Sequence, residues 1–293
     1  MRVLKYAGIL LIFCMLGSCN LERFPIESFD IQFGLDQVGY NFKSDLIQTE
    51  DNGYFIVGTS VTSDILLAKV TRDGNLEYVR SNFGIGAAHA ISKTNDPSKP
   101  YIVVGTKADG MFALWINEEG NQLQLDTFKL AVDSIVGLVE SIAAYDVIID
   151  SNDEYIITGF VKQTLGGRRL MQMKLSSTGL LKRSEFRSFT NNAYGVSILE
   201  GSENNFFIAG YKDNLLIINK VNDEGTLLWQ KQFPDTYENG LASLASNAKG
   251  NLLLLGTRNL ADKNLLLIEI DEQGNIFKEL DYGTNSTLSL IHI

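Results

Sequence analysis

The 293 residues are 45% hydrophobic, 10% aromatic and only 20% charged, which supplies enough apolar surface to offset the entropy of ordering and argues against intrinsic disorder. With 25 Lys and Arg against 35 Asp and Glu, the net charge is −10, so no nucleic-acid partner is expected. Two Cys and two His leave little scope for a disulfide framework, a Cys/His zinc site or imidazole catalysis.

Arg2 and Lys5 precede an apolar run, Tyr6 to Leu16, which has the size of a signal-peptide core and is too short to span a bilayer. Leu16-Gly17-Ser18-Cys19 follows directly. This segment resembles the lipobox of bacterial lipoproteins, in which a Leu three places before Cys and two small residues direct cleavage. The resemblance implies a signal peptide over residues 1–18, lipidation of Cys19, and a short tether over residues 19–28. More than one acyl chain on Cys19 would make anchoring stable. Removal of residues 1–18 takes away Arg2, Lys5 and Cys14, and a lipidated Cys19 then leaves no free thiol for nucleophilic or metal chemistry.

From residue 29 onward the chain repeats. Five apolar runs each close on Gly, at Gly58, Gly105, Gly159, Gly210 and Gly256, with spacings of 47, 54, 51 and 46 residues. They read, for example, Tyr54-Phe55-Ile56-Val57-Gly58 and Tyr101-Ile102-Val103-Val104-Gly105. A second series, Gly74, Gly120, Gly179, Gly225 and Gly274, is spaced by 46, 59, 46 and 49 residues. Within each repeat, short runs rich in β-branched and aromatic residues alternate with Gly, Asn and Asp turns. The fourth repeat predicts strands over Tyr194–Leu199, Asn205–Gly210, Leu215–Val221 and Thr226–Phe233. Its Asp223-Glu224-Gly225 segment predicts a hairpin turn whose Gly takes positive φ. Four strands per unit of about 50 residues is the pattern of a β-propeller blade. The fold class is therefore all-β, a propeller of four-stranded blades over residues 29–293.

The wording of the repeats resembles a family of bacterial cell-envelope propellers, distantly quinoprotein-like. In that family a Gly-closed apolar strand precedes an apolar-Lys strand, an Asp-Gly-Asn turn and an aromatic strand. Lys69, Lys174 and Lys220 occupy the Lys position, while Trp115 and Glu269 depart from it, and Trp229 alone keeps the Trp of the last element. Such propellers share no single activity. At the ends, Phe29–Gly34 resembles a fourth strand without its blade, and Leu288–Ile293 a first strand without the second and third. Five complete units plus these fragments suggest six blades with the last incomplete, or a chain cut short; a five-bladed ring is the alternative.

No phosphate-cradling Gly-Lys loop, Gly-x-Ser-x-Gly elbow or His-Glu-x-x-His helix occurs. Asn222-Asp223-Glu224-Gly225-Thr226-Leu227-Leu228-Trp229 departs from the Asp-box of sialidases, since Trp comes one place late and no hydroxyl residue precedes the Asp. It is closer to the Gly-x-x-x-Trp element of quinoprotein-like and envelope-assembly propellers, and one copy implies no cofactor. His89 is placed to line the central channel or to pack; His292 falls near the end. Acidic residues such as Glu50-Asp51, Asp150 and Asp153-Glu154 fall in repeated turns, where turn geometry and solubility explain them.

The connections between second and third strands carry Lys107, Lys162, Arg168, Arg169, Lys212, Arg258 and Lys263 against Asp64, Asp109, Asp213 and Asp262. Tyr194, Tyr237 and Tyr282 lie in the links between blades. A face that is locally basic on an acidic chain suits an anionic ligand or partner. The sequence thus points to a lipid-anchored propeller of the outer membrane that binds a protein or glycan without catalysis. The alternatives are a carbohydrate-active enzyme using paired carboxylates and an assembly factor for envelope proteins.

Overall fold

The computed structural model describes residues 45–129, 139–164, 166–187, 192–236, 242–258 and 264–282, all within the compact unit Gln37–Ile293. Cys19 with its signal segment, Phe29–Gly34, Tyr237, Asp262, Lys263 and Leu288–Ile293 lie outside the described residues.

Among the described residues, twenty strands form five antiparallel sheets of four, each in sequence order from one edge to the other. Blade 1 holds β1 (Asp45–Gln48), β2 (Tyr54–Thr59), β3 (Ile65–Val70) and β4 (Leu76–Arg80). Blade 2 holds β5 (Ala87–Lys93), β6 (Tyr101–Lys107), β7 (Gly110–Ile116) and β8 (Gln122–Phe128). Blade 3 holds β9 (Val139–Ile149), β10 (Tyr155–Gln163), β11 (Arg168–Leu175) and β12 (Leu181–Arg187). Blade 4 holds β13 (Ala193–Glu200), β14 (Phe206–Lys212), β15 (Leu215–Val221) and β16 (Leu227–Gln232). Blade 5 holds β17 (Ser243–Ser246), β18 (Leu252–Thr257), β19 (Leu265–Ile270) and β20 (Ile276–Tyr282). The fold is a β-propeller of five four-stranded blades.

In the fourth repeat the third strand occupies the predicted residues, and the other three agree within two residues at each end. The turn before the fourth strand has one design throughout. Gly74, Gly120, Gly179, Gly225 and Gly274 take φ between +71° and +89°, and in every blade the register slips by one residue just before the turn. A turn ended by a left-handed Gly, followed by a bulge, matches the hairpin to the twist of its strands.

The second and third strands of blades 2, 3 and 4 are buried on both faces along most of their length, because each of these sheets is covered on both sides by its neighbours. The clusters of buried side chains accordingly lie between sheets. One joins blades 1 and 2 through Phe55, Leu67, Tyr101 and Leu114; another joins blades 2 and 3 through Trp115, Met111, Tyr155 and Met171. Ile156, Leu170, Phe206 and Ile217 join blades 3 and 4, and Phe207, Leu216, Leu254 and Ile268 join blades 4 and 5. Fourth strands are mostly polar and exposed or half-buried, as in β20 with Lys278, Glu279 and Asp281. Charge on an outer edge discourages edge-to-edge pairing.

Ion pairs reinforce the inter-blade contacts. Buried Lys174 lies 2.5 Å from Asp223 of blade 4, and 2.7 and 3.2 Å from Glu154 and Asp150 of its own blade. Lys220 reaches Glu272 of blade 5 at 3.2 Å, whereas within blade 1 Lys69 bonds Asp51 at 2.7 Å and the Thr49 hydroxyl. Acids that the sequence explains by turn geometry therefore have a second task, holding buried ammonium groups.

Candidate functional site

First strands of consecutive blades contact one another, so β1, β5, β9, β13 and β17 form the inner rim. In three of them an extra residue breaks the pairing with the second strand: His89 in β5, Tyr145 in β9 and Val196 in β13. A bulge leaves its residue outside the ladder and re-aims nearby side chains. It also accounts for part of the glycine series. A Cβ at Gly105, Gly159 or Gly210 would lie about 2 Å from the carbonyl oxygen of Ala87, Ala143 or Tyr194 respectively. Only glycine lets the bulged strand approach this closely.

The bulges bring together an aromatic group that spans three blades. His89 meets Tyr145 edge-on with ring centroids 5.1 Å apart; Tyr145 lies 5.7 Å from Phe160 and 6.2 Å from Tyr194, and Tyr194 lies 5.6 Å from Tyr211. The guanidinium of Arg168 sits 4.9 Å from the Phe160 ring centre and 5.4 Å from that of Tyr194. Such stacking over an aromatic face holds a cation while keeping its N–H groups in one plane. Burial raises the Tyr145 phenol above its ordinary value, and the charge of Arg168 works against that rise. His89 is buried, with Nε2 3.1 Å from the Thr106 hydroxyl.

Of the basic residues selected from sequence, Lys107, Lys162, Arg168, Arg169, Lys212 and Arg258 all fall where the second strand hands over to the third. Antiparallel order puts these connections at the same end of each sheet as the links between blades. Their roles there differ. Lys162 pairs with Glu140 at 2.6 Å, and Arg258 with Glu279 and Asp281 at 3.0 and 3.2 Å, so their charge is matched locally. Lys107 lies 5.9 Å from the ring centre of Phe112. Adjacent residues of a strand point to opposite faces, so Arg168 and Arg169 do not form one patch. The aromatic group holds Arg168 and Tyr194 of the sequence-selected set. Tyr145, Phe160 and Tyr211 escape sequence reasoning, although Ala87-Ala88-His89 and Ala143-Ala144-Tyr145 form a repeated Ala-Ala-aromatic signal at the bulge.

Among the described residues no group of three or more His, Cys, Asp or Glu side chains is arranged to hold a metal ion. The chain matches no protein-family model and no curated protein. Solved structures do resemble it. A Lactobacillus plantarum protein superposes with TM-score 0.54 at 11% identity, covering 80% of this chain and 70% of that one. The periplasmic gluconolactonase of Pseudomonas aeruginosa superposes with TM-score 0.53 at 16% identity, covering 80% and 68%. An α-L-arabinofuranosidase of Clostridium thermocellum reaches TM-score 0.49 at 11% identity, covering 84% and 96%. At these identities the likeness is one of fold alone.

Proposed function

We propose that this chain is a binding module of the cell envelope, a propeller anchored through lipid on Cys19 that takes a protein partner at the inner end of blades 2, 3 and 4. The observation that carries this reading is the group of Tyr145, Phe160 and Arg168 of blade 3 with Tyr194 of blade 4, gathered where bulged first strands meet. Tyr and Arg are the residue types enriched at the energetic centres of interfaces, where large rigid rings and a planar cation exclude water around the contact. Tyr145, Tyr194 and Arg168 are half-buried, so each is held in place while keeping exposed surface. Asp51, Asp150, Glu154 and Glu272 are engaged by Lys69, Lys174 and Lys220. That engagement supports a binding role over glycoside hydrolysis, which needs two carboxyls committed to the substrate.

The test is crosslinking and affinity purification of the tagged protein from intact envelopes, with mass spectrometry of the Cys19 peptide and of whatever accompanies it. The expected result is an acylated Cys19 and a stoichiometric protein that is lost, by tenfold or more, from the Arg168→Glu and Tyr194→Ala variants. Capture unchanged by both variants overturns the site. Recovery of a saccharide in place of a protein transfers the same face to a glycan, and an unmodified Cys19 overturns the anchor.

A further inference from the structure

Alternation along the strands decides which neighbour each buried side chain of blades 3 and 4 faces. On β11, Met171 and Met173 join the cluster shared with blade 2 and Leu170 the cluster shared with blade 4, so Gln172 and Lys174 face blade 4. Lys174 is met there by Asp223. Gln172 is only 3% exposed, and among the described residues neither its Nε2 nor its Oε1 has a hydrogen-bond partner. It is the one described side chain that buries both a donor and an acceptor in this way. Turning the amide over exchanges the two atoms and changes nothing, because both are unmatched. Buried amide groups left without a bond are costly.

The residues around Gln172 add further polar atoms. Thr158, fully buried, lies opposite Gln172 on β10. Its hydroxyl donates to the Met171 carbonyl at 3.0 Å, so what remains there is an acceptor. Across the contact, Ile217 and Val221 of β15 belong to the cluster shared with blade 3, which puts fully buried Asn219 on that same face. Asn219 accepts from Gln230 Nε2 at 2.7 Å, whereas its own Nδ2 reaches the Ile208 carbonyl only at 3.4 Å. Ile208 lies opposite Asn219 in the ladder. A Cβ at Gly195 would fall 2.9 Å from Ile208 Cγ2 and 2.1 Å from Thr158 Oγ1. The two sheets therefore meet where Thr158, Gly195 and Ile208 touch, with Gln172 beside Thr158 and Asn219 beside Ile208.

The same positions in the other blades are apolar. Gln172 stands where they carry Leu67, Ala113, Ile218 and Leu267; Thr158 stands where they carry Val57, Val104, Ala209 and Leu255; Asn219 stands where they carry Ala68, Leu114, Met173 and Ile268. Gly195 replaces the Ala88 and Ala144 of blades 2 and 3, since Thr158 Oγ1 occupies the space that a methyl group would need. Polarity at this one contact is thus built from both sides.

We propose that the seam between blades 3 and 4 is a binding site for internal water, held by Gln172 and completed by Thr158 and Asn219. Hydrogen-bonding chemistry selects the occupant. Gln172 presents an acceptor and donors together, so a bare cation satisfies Oε1 alone and an anion Nε2 alone, whereas water donates and accepts at once. Water donates to Gln172 Oε1 and Thr158 Oγ1 and accepts from Asn219 Nδ2 or Gln172 Nε2, about the three bonds typical of a buried water. Arg168, Leu170, Gln172 and Lys174 follow one another on one face of β11, which places the water between the aromatic group and the Lys174–Asp223 ion pair.

The test joins a crystal structure of the full chain, at a resolution that shows ordered water, with oxygen-17 relaxation dispersion, which counts long-lived internal waters. The dispersion compares wild type with the Gln172→Leu/Thr158→Val double variant, whose new residues are those of blades 1, 2 and 5 at these positions. The expected result is density for water within hydrogen-bond distance of Gln172 and a lower count of internal waters in the double variant. Gln172 bonded directly to protein groups with no water beside it overturns the proposal, and so does an unchanged count in a folded double variant. Magnetisation transfer from water to the Gln172 side-chain amide protons of the wild type needs no variant: a cross-peak is expected, and its absence overturns the site.

Discussion

Lys174 on the third strand of blade 3 and Asp223 in the turn of blade 4 lie 2.5 Å apart, and the lysine is buried while the aspartate is partly open to water. Burial works against the charged lysine, yet hydrogen bonds from its ammonium to Asp223, Glu154 and Asp150 outweigh that cost and raise it above its ordinary value. The two ends of this bond respond differently to mutation. Lys174→Ala strands the buried Asp150 carboxylate and is expected to cost about 3–5 kcal/mol in urea unfolding. Asp223→Asn leaves Lys174 with two other carboxylates and is expected to cost about 1 kcal/mol or less.

Acid weakens the same inter-strand bonds. The Lys69 ammonium, with help from Thr49 and the Gly53 amide, holds Asp51 well below the usual carboxylate range. Burial raises Glu154, but Lys174 and Lys182 more than reverse this and leave it lowered. A group lowered on folding contributes its full stability above its unfolded value and loses it as pH falls toward the folded one. The unfolding midpoint is therefore expected to decline below roughly pH 4, and the decline is shallower in Asp51→Asn. Lys174, being raised, contributes at all pH values below the ordinary lysine range and loses that contribution only in strong alkali. Denaturation followed from pH 7 to pH 3 in both proteins checks the sign.

Gly159→Ala is expected to be among the most damaging single-methyl changes. The new Cβ would fall 1.9 Å from the Ala143 carbonyl, so β9 and β10 must separate at the bulge. A loss of about 3 kcal/mol or more follows from overpacking against backbone that cannot rotate away. Gly166→Ala is the control: its nearest neighbours are side-chain atoms of Gln163 at 3.6 and 3.7 Å, an ordinary contact, and thermal melts should barely change.

Tyr145 reports on Arg168. The guanidinium favours the phenolate that burial opposes, so Arg168→Ala is expected to move the Tyr145 titration still higher in pH. NMR of ring-labelled tyrosine through alkaline pH measures this, and an unmoved Tyr145 would place the two groups farther apart than the shared stacking implies.

The blade unit was legible in the chain because strand and turn chemistry are local. Tyr194 to Phe233 reads as four strands from its β-branched runs, its Asp213-Asn214 pair and its Asp223-Glu224-Gly225 turn. Asp213 and Asn214 indeed take positive φ at 52° and 68°. The glycine at the end of each second strand was visible as a repeat, but its cause was not. At Gly105, Gly159 and Gly210 the neighbour is a carbonyl on another strand, and no spacing in the sequence reveals a distance across a sheet. The seven bases likewise read as one face, whereas Lys162 and Arg258 are matched by acids brought from other strands, and alternation separates Arg168 from Arg169.

The amino-acid sequence alone determined the all-β class, the period near 50 residues and the hairpin before each fourth strand, since all three depend on residues only a few positions apart. Tertiary structure decided which lysines are buried, which acids hold them and which rings gather around Arg168. Those outcomes depend on groups from different strands, and in several cases different blades, placed together only when strands pair and one sheet packs on the next, as with Lys174 and Asp223, 49 residues apart.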